Sequence, residues 1–151
     1  MMIETYQVAE VQISYNPKFK AQDRPKVNQS DQCYNIFIQQ WDKGKLQLLE
    51  QCKVILLNRN NRVLGLAHVS QGGVSGTVVD PKVIFSIALK ANATSIVLAH
   101  NHPSGNLNPS PEDIAITKKL VAGGKLLDIY VADHLIITES GYYSLADNCQ
   151  M

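Results

Sequence analysis

Two histidines one residue apart, His100 and His102, close the apolar run "SIVLAH", and Ser110 and Asp113 follow within "NHPSGNLNPSPED". Side chains alternate along a strand, so His100 and His102 project from one face and Asn101 from the other. Two imidazoles at one strand end can then reach the same metal ion. Pro103, Gly105 and Pro109 impose an irregular loop, after which Ser110 and Pro111 open a helix with Asp113 at its third position. A carboxylate placed there can turn back toward the histidines. Two imidazoles, one carboxylate and an open fourth position describe a catalytic zinc site, in which water is acidified and a carbonyl polarised. Such a site still needs a general base and a donor for the oxyanion. Each element has an ordinary reading: Ser110 and Asp113 fit a Ser-x-x-acid cap, and paired histidines beside a loop are often plain polar surface. It is their common order and spacing that point to metal.

His-x-His, seven residues, Ser, two residues and Asp resembles the motif of the JAB/MPN (JAMM) metalloprotease superfamily. More narrowly, "LAHNHPSGNLNPSPEDIAITKKL" and the later "DHLII" are similar to the RadC family, whose members are often labelled DNA repair proteins. The resemblance implies an α/β domain of the JAB/MPN kind: a curved mixed β-sheet flanked by helices, layered as in cytidine deaminases. It further implies that His100, His102 and Asp113 ligate Zn²⁺ and that Ser110 hydrogen-bonds the developing oxyanion. The superfamily's base is a glutamate at the end of the first helix, shortly before the first hairpin strand, and Glu50 in "LLEQCKVILLN" matches that place. An exposed glutamate at a helix end is common, so only this position favours Glu50.

One departure concerns "LAHVSQGG", where many RadC relatives carry acidic residues ahead of a Gly-Thr or Gly-Ser pair. His68 occupies that region, as a substitute base or as a half-buried strand histidine. His134 follows Asp133, but neighbours in a strand face opposite ways, so His134 reads as a structural residue or a donor behind the metal ligands. His-Asn-His at 100–102 does not make an HNH nuclease, whose residues spread over a ββα unit. A zinc deaminase would need a Pro-Cys-x-x-Cys element, which the sequence lacks.

The elements that must position these groups follow from local pattern. "YQVAEVQISY", with Val8, Val11 and Ile13, predicts an edge strand. "SDQCYNIFIQQWDKGKLQLLEQ" predicts a helix capped by Ser30, with Gly44 a weak point. Two β-rich runs around Asn58 to Asn61 predict a hairpin, since Asn tolerates a left-handed backbone. Asp80 and Pro81 open a helix with Val83, Ile84, Ile87, Ala88 and Ala91 on one stripe, leading into "TSIVLA", a strand buried on both faces. The helix after Pro111 is expected to end near Gly123 and Gly124, before the closing strands "IYVADHLIIT" and "ESGYYSLAD".

The 151 residues suit one domain, divided into an N-terminal strand and basic arm over 1–29 and the RadC-like region over 30–151. Hydrophobic residues at 45%, charged residues at 18% and a net charge of +1 imply no strongly charged partner. Lys18, Lys20, Arg24 and Lys26 in "NPKFKAQDRPK" read first as a solvated linker and second as a DNA-contacting arm. Cys33, Cys52 and Cys149 are odd in number and lack Cys-x-x-Cys spacing, which suits a reducing cytoplasm. No apolar run is long enough to span a membrane. Full-length RadC relatives carry an N-terminal helix-hairpin-helix module without counterpart here, and a short form similar to those of bacterial mobile elements is expected. Three functions compete: zinc-dependent hydrolysis of a peptide or isopeptide bond, a DNA-associated accessory role, and a metal-free scaffold. Retention of His100, His102, Ser110 and Asp113 argues against the last.

Overall fold

The computed structural model describes residues 4–12, 14–73 and 76–151. Three helices, α1 (Ser30–Gln40), α2 (Pro81–Lys90) and α3 (Pro111–Leu127), pack on one five-stranded sheet. Its strands are β1 (Gln51–Leu57), β2 (Val63–Gln71), β3 (Ser95–Asn101), β4 (Tyr130–Thr138) and β5 (Gly141–Ser144), in the spatial order β2-β1-β3-β4-β5. The sheet is mixed: β3 and β4 are parallel, and the other neighbours are antiparallel. A parallel pair requires a crossover, and α3 provides it, so its N-terminus lies near the C-terminal end of β3. That is the end where the histidines sit.

Local chemistry accounts for most of these elements. The Asn58 side chain accepts from the amides of Asn60 and Arg62, each at 3.0 Å, and Asn61 takes φ +54°, closing the predicted hairpin. Asp80 caps α2 by accepting from the Lys82 amide at 2.9 Å. All seven residues of β3 are buried, as a central strand with helices on both faces demands. Alternation then divides the core. Phe37 of α1 packs with Ile55, Val97 and Leu135 on one face, while Ile84 of α2 and Leu120 of α3 pack with Val54, Ile96 and Leu98 on the other. Each such fully buried side chain contributes about 1.5–3 kcal/mol.

Three expectations are corrected. The helix from Ser30 stops at Gln40, well short of Glu50, and its N-cap is Gln29, paired with Gln32 in a capping box. Two contacts end it. Lys53 Nζ donates to the Gln40 carbonyl at 2.9 Å, and Asp42 captures the Gly44 amide at 2.9 Å in a local turn that competes with helix. Secondly, the described residues of 4–16 form no strand, and Val8 and Val11 are each 88% exposed; Ile13 lies outside the described residues. An alternating segment gains stability only against a partner edge. Along the outer edge of β2, the Tyr15 hydroxyl donates to the Leu64 carbonyl at 2.7 Å and the Val63 amide donates to the Pro25 carbonyl at 2.9 Å. The Arg24 guanidinium lies 5.2 Å over the Tyr15 ring, so one of the four basic residues of the arm is engaged with the chain itself.

Thirdly, α3 continues through Gly123 and Gly124 to Leu127 and ends on Asp128 in the left-handed conformation. The glycines serve close packing instead of termination: a Cβ on Gly124 would lie 2.3 Å from the Ile129 carbonyl oxygen. Gly124→Ala is therefore expected to destabilise by about 1–3 kcal/mol through overpacking, although alanine gains up to about 1 kcal/mol of helix propensity. Urea unfolding reads the balance; a gain in stability would mean that α3 and β4 separate easily.

The cysteines carry no disulfide. Cys33 and Cys52 are buried, and burial pushes both thiols up to about 12, with the Asp133 and Asp31 charges adding at Cys33. Both are inert as thiolates at neutral pH.

Candidate metal centre

The site is built where β3 runs out of sheet. His100 faces α3, Asn101 faces the opposite side, and His102 remains tethered by its amide to the Ile137 carbonyl at 3.0 Å. Asn101 is fully buried and makes three hydrogen bonds. Its Oδ1 accepts from the Gln51 amide at 2.7 Å, and its Nδ2 donates to the carbonyls of Leu46 and Leu49 at 2.7 and 2.8 Å. These bonds fasten the non-helical segment before β1 to the end of β3 and so deliver Glu50 to the histidines. Two glycines after β2 complete the support: the Gly72 amide donates to the Glu50 carbonyl at 2.8 Å, and a Cβ on Gly76 would come 3.4 Å from Glu50 Oε2.

Asn101 is the residue that sequence reasoning missed, although an amide on the buried face of a central strand was a signal that something must satisfy it. Asn101→Ala leaves two carbonyls and one amide without partners. It is expected to destabilise by about 3 kcal/mol or more, at about 1–3 kcal/mol for each buried group stranded. Thermal denaturation would show it, and an unchanged Tm would mean that water replaces the side chain.

His100 Nε2 lies 2.9 Å from His102 Nε2 and 3.2 Å from Asp113 Oδ1, and His102 Nε2 lies 3.4 Å from Asp113 Oδ2. Four ligands placed tetrahedrally at about 2.0–2.1 Å from zinc are about 3.3 Å apart. The three groups therefore fit a zinc ion's ligand set. Proton positions agree, because the Asn106 carbonyl 2.6 Å from His102 Nδ1 can only accept. In its neutral form His102 then carries its hydrogen on Nδ1 and turns a lone pair inward. Glu50 stands slightly farther out, with Oε1 3.8 Å from His102 Nε2. Glu50, His100 and His102 each offer a ligand atom, all within 4.8 Å of one another.

Electrostatics reinforce the arrangement. Burial by itself would raise the Asp113 carboxyl, but the His100 and His102 side chains and the Ser110 amide hold it well below the usual carboxylate range. Asp113 in turn pulls the His102 imidazole above its ordinary value, against burial. The N-terminal end of α3 adds its positive partial charges beside the same carboxylate. Ser110 and Asp113 form the expected capping box: the Asp113 amide donates to Ser110 Oγ at 3.1 Å, and the Ser110 amide donates to Asp113 Oδ2 at 2.8 Å. Ser110 Oγ accepts there, so its own hydroxyl proton is free for another partner.

Glu50, His102 and Ser110 share an open groove of about 340 Å³ with Ser104, Asn106, Asn108 and Pro109. Another cavity, of about 280 Å³, is lined by Ser30, Cys33, Tyr130 and Asp133 at the far end of the sheet and contains none of these groups. His68 does not join the cluster. It is exposed and sits opposite Lys53, and what burial it has, with the Lys53 and Lys45 charges, lowers its basicity. The half-buried histidine expected there is thus a surface residue among lysines. Asp133 faces away as expected, accepting from Ser144 Oγ at 2.6 Å, whereas His134 is fully buried behind His100.

Fold and site together define a mixed α/β domain with an open cluster of side chains that could hold a metal ion where a central strand meets its crossover helix. The family model described as the RadC-like JAB domain matches residues 27–150, and the chain belongs to that family. It is 49% identical over 98 residues to a UPF0758 protein of Flavobacterium johnsoniae, covering 65% of this chain and 43% of that one. A UPF0758 protein of Alkaliphilus metalliredigens is 44% identical over 102 residues, covering 68% and 44%. One from Methanosarcina mazei is 36% identical over 129 residues, covering 85% and 55%. The chain spans about half the length of these relatives.

Proposed function

We propose that the chain is a zinc-dependent hydrolase of peptide or isopeptide bonds, with a peptide or protein as substrate. The observation that carries this reading is the triangle of two imidazole nitrogens and one carboxylate, with Glu50 standing beside it in an open groove. A zinc ion held by His100, His102 and Asp113 would supply Lewis acidity, acidifying a water molecule and polarising the scissile carbonyl. Glu50 takes the proton of the attacking water and passes it to the leaving amine, which would otherwise depart as an unstable anion. Ser110 donates its free hydroxyl proton to the developing oxyanion. Asn101 holds Glu50 in reach throughout.

Elemental analysis of the purified protein, alongside His100→Ala, tests the first half. Near-stoichiometric zinc that is lost in the variant is expected. A screen of peptide and isopeptide substrates, with chelator and zinc restoration, tests the second. Cleavage that survives chelation, or a zinc-loaded protein that cuts DNA and no amide, would overturn the proposal.

A further inference from the structure

We propose that Thr117 and His134 act as positioning residues that hold the His100 imidazole in the tautomer a metal ion requires. The inference rests on reading the site as a metal centre, and it concerns how the protein prepares that centre before any ion arrives. Thr117 Oγ1 lies 2.6 Å from the Asp113 carbonyl oxygen and 2.6 Å from His134 Nδ1. A carbonyl only accepts, so the single hydroxyl proton of Thr117 is committed to Asp113. The hydroxyl oxygen must then accept, and His134 carries its hydrogen on Nδ1.

His134 is 1% exposed, and burial disfavours the charged, doubly protonated ring. Its Nε2 is consequently a lone pair, 2.7 Å from His100 Nδ1. That contact is a hydrogen bond only if His100 donates from Nδ1. The remaining nitrogen of His100, Nε2, is left unprotonated and points at His102 and Asp113. Each proton is dictated by the one before it, starting from a carbonyl that has no alternative. The opposite tautomer would set two lone pairs against each other across 2.7 Å and place a hydrogen where the metal belongs, whereas the inward lone pairs of His100 and His102, 2.9 Å apart, are the pair that a cation between them would take.

The chain also begins and ends on metal-binding residues, because the carbonyl that anchors it belongs to Asp113. One relay thereby couples the first turn of α3 to the end of β3 through β4. Its acceptor for His100 is a neutral imidazole, where a carboxylate or a backbone carbonyl is the usual partner of a metal-binding histidine.

Nitrogen-15 spectra of the histidine rings in metal-free protein, in mildly alkaline buffer, read the tautomer directly. His100 with its proton on Nδ1 is expected in the parent protein and in Thr117→Ser, and a mixed or reversed tautomer in Thr117→Val. Zinc competition with a chromophoric chelator should show Thr117→Val weaker by about 10–100-fold, the range for removing a hydrogen bond behind a metal ligand, with Thr117→Ser restored. A parent protein whose His100 proton sits on Nε2 overturns the proposal without any variant. So does a folded Thr117→Val that keeps both the tautomer and the affinity. If the parent binds no zinc, the metal-centre reading fails, while the spectra still decide whether the relay exists.

Discussion

Replacing Glu50 by Gln is expected to lower kcat/KM for amide hydrolysis by about 10²–10⁴-fold, the range for losing a positioned acid–base group, with zinc content and folding unchanged. The amide keeps the size of the side chain but cannot take a proton from water. The backbone bond from Gly72 to the Glu50 carbonyl at 2.8 Å is untouched, as are the three bonds of Asn101 that hold the segment. Distance separates the two roles a carboxylate could play here. Asp113 lies 3.2 and 3.4 Å from the two histidine nitrogens, close to the tetrahedral spacing, whereas Glu50 approaches His102 only to 3.8 Å. If Glu50 were a ligand, Glu50→Gln would release the metal as well as the activity. Elemental analysis of the variant beside its rate distinguishes these outcomes.

Asp113 should show the opposite pattern, because in the proposed centre one side chain would serve both the metal and the fold. Asp113→Ala removes a ligand and opens the capping box, so we expect zinc affinity to fall by more than about 100-fold, the upper end for losing a mere supporting bond. The metal-free protein should also lose about 1 kcal/mol from the start of α3. Asp113→Asn separates the two effects. Its carbonyl oxygen can still accept from the Ser110 amide, which reaches Oδ2 at 2.8 Å in the parent, so the helix stays capped. Its neutral side chain no longer offers the negative charge that a dication held by two neutral imidazoles would require. Urea unfolding without metal should therefore place Asp113→Asn near the parent and Asp113→Ala below it, while both fail to retain zinc. A zinc-replete Asp113→Asn would shift the third ligand to Glu50, the other carboxylate in reach.

Features set by a few neighbouring residues were legible in the sequence. The Asn58–Asn61 hairpin, the Asp80–Pro81 start of α2, the Ser110–Asp113 box and the projection of His100 and His102 from one face all depend on backbone preferences and strand alternation. Glu50 was found through family resemblance, on the assumption of a helix that in fact stops at Gln40. The β-branched residues Val8 and Val11 among polar neighbours read as a strand, but local composition cannot supply the partner edge that a strand needs.

By itself, then, the sequence determined which side chains are available for metal chemistry and which local elements present them, because spacing and caps act within one or two turns of chain. Only the tertiary structure decided how Glu50 reaches the histidines, since that depends on Asn101 stapling a segment far from it in sequence. It also decided that Lys53 from β1 terminates α1, and that His68 stays outside while His134 stands behind His100. These outcomes rest on pairing register and on buried polar groups finding partners across the sheet. Such partners lie distant along the chain, and no local pattern encodes them.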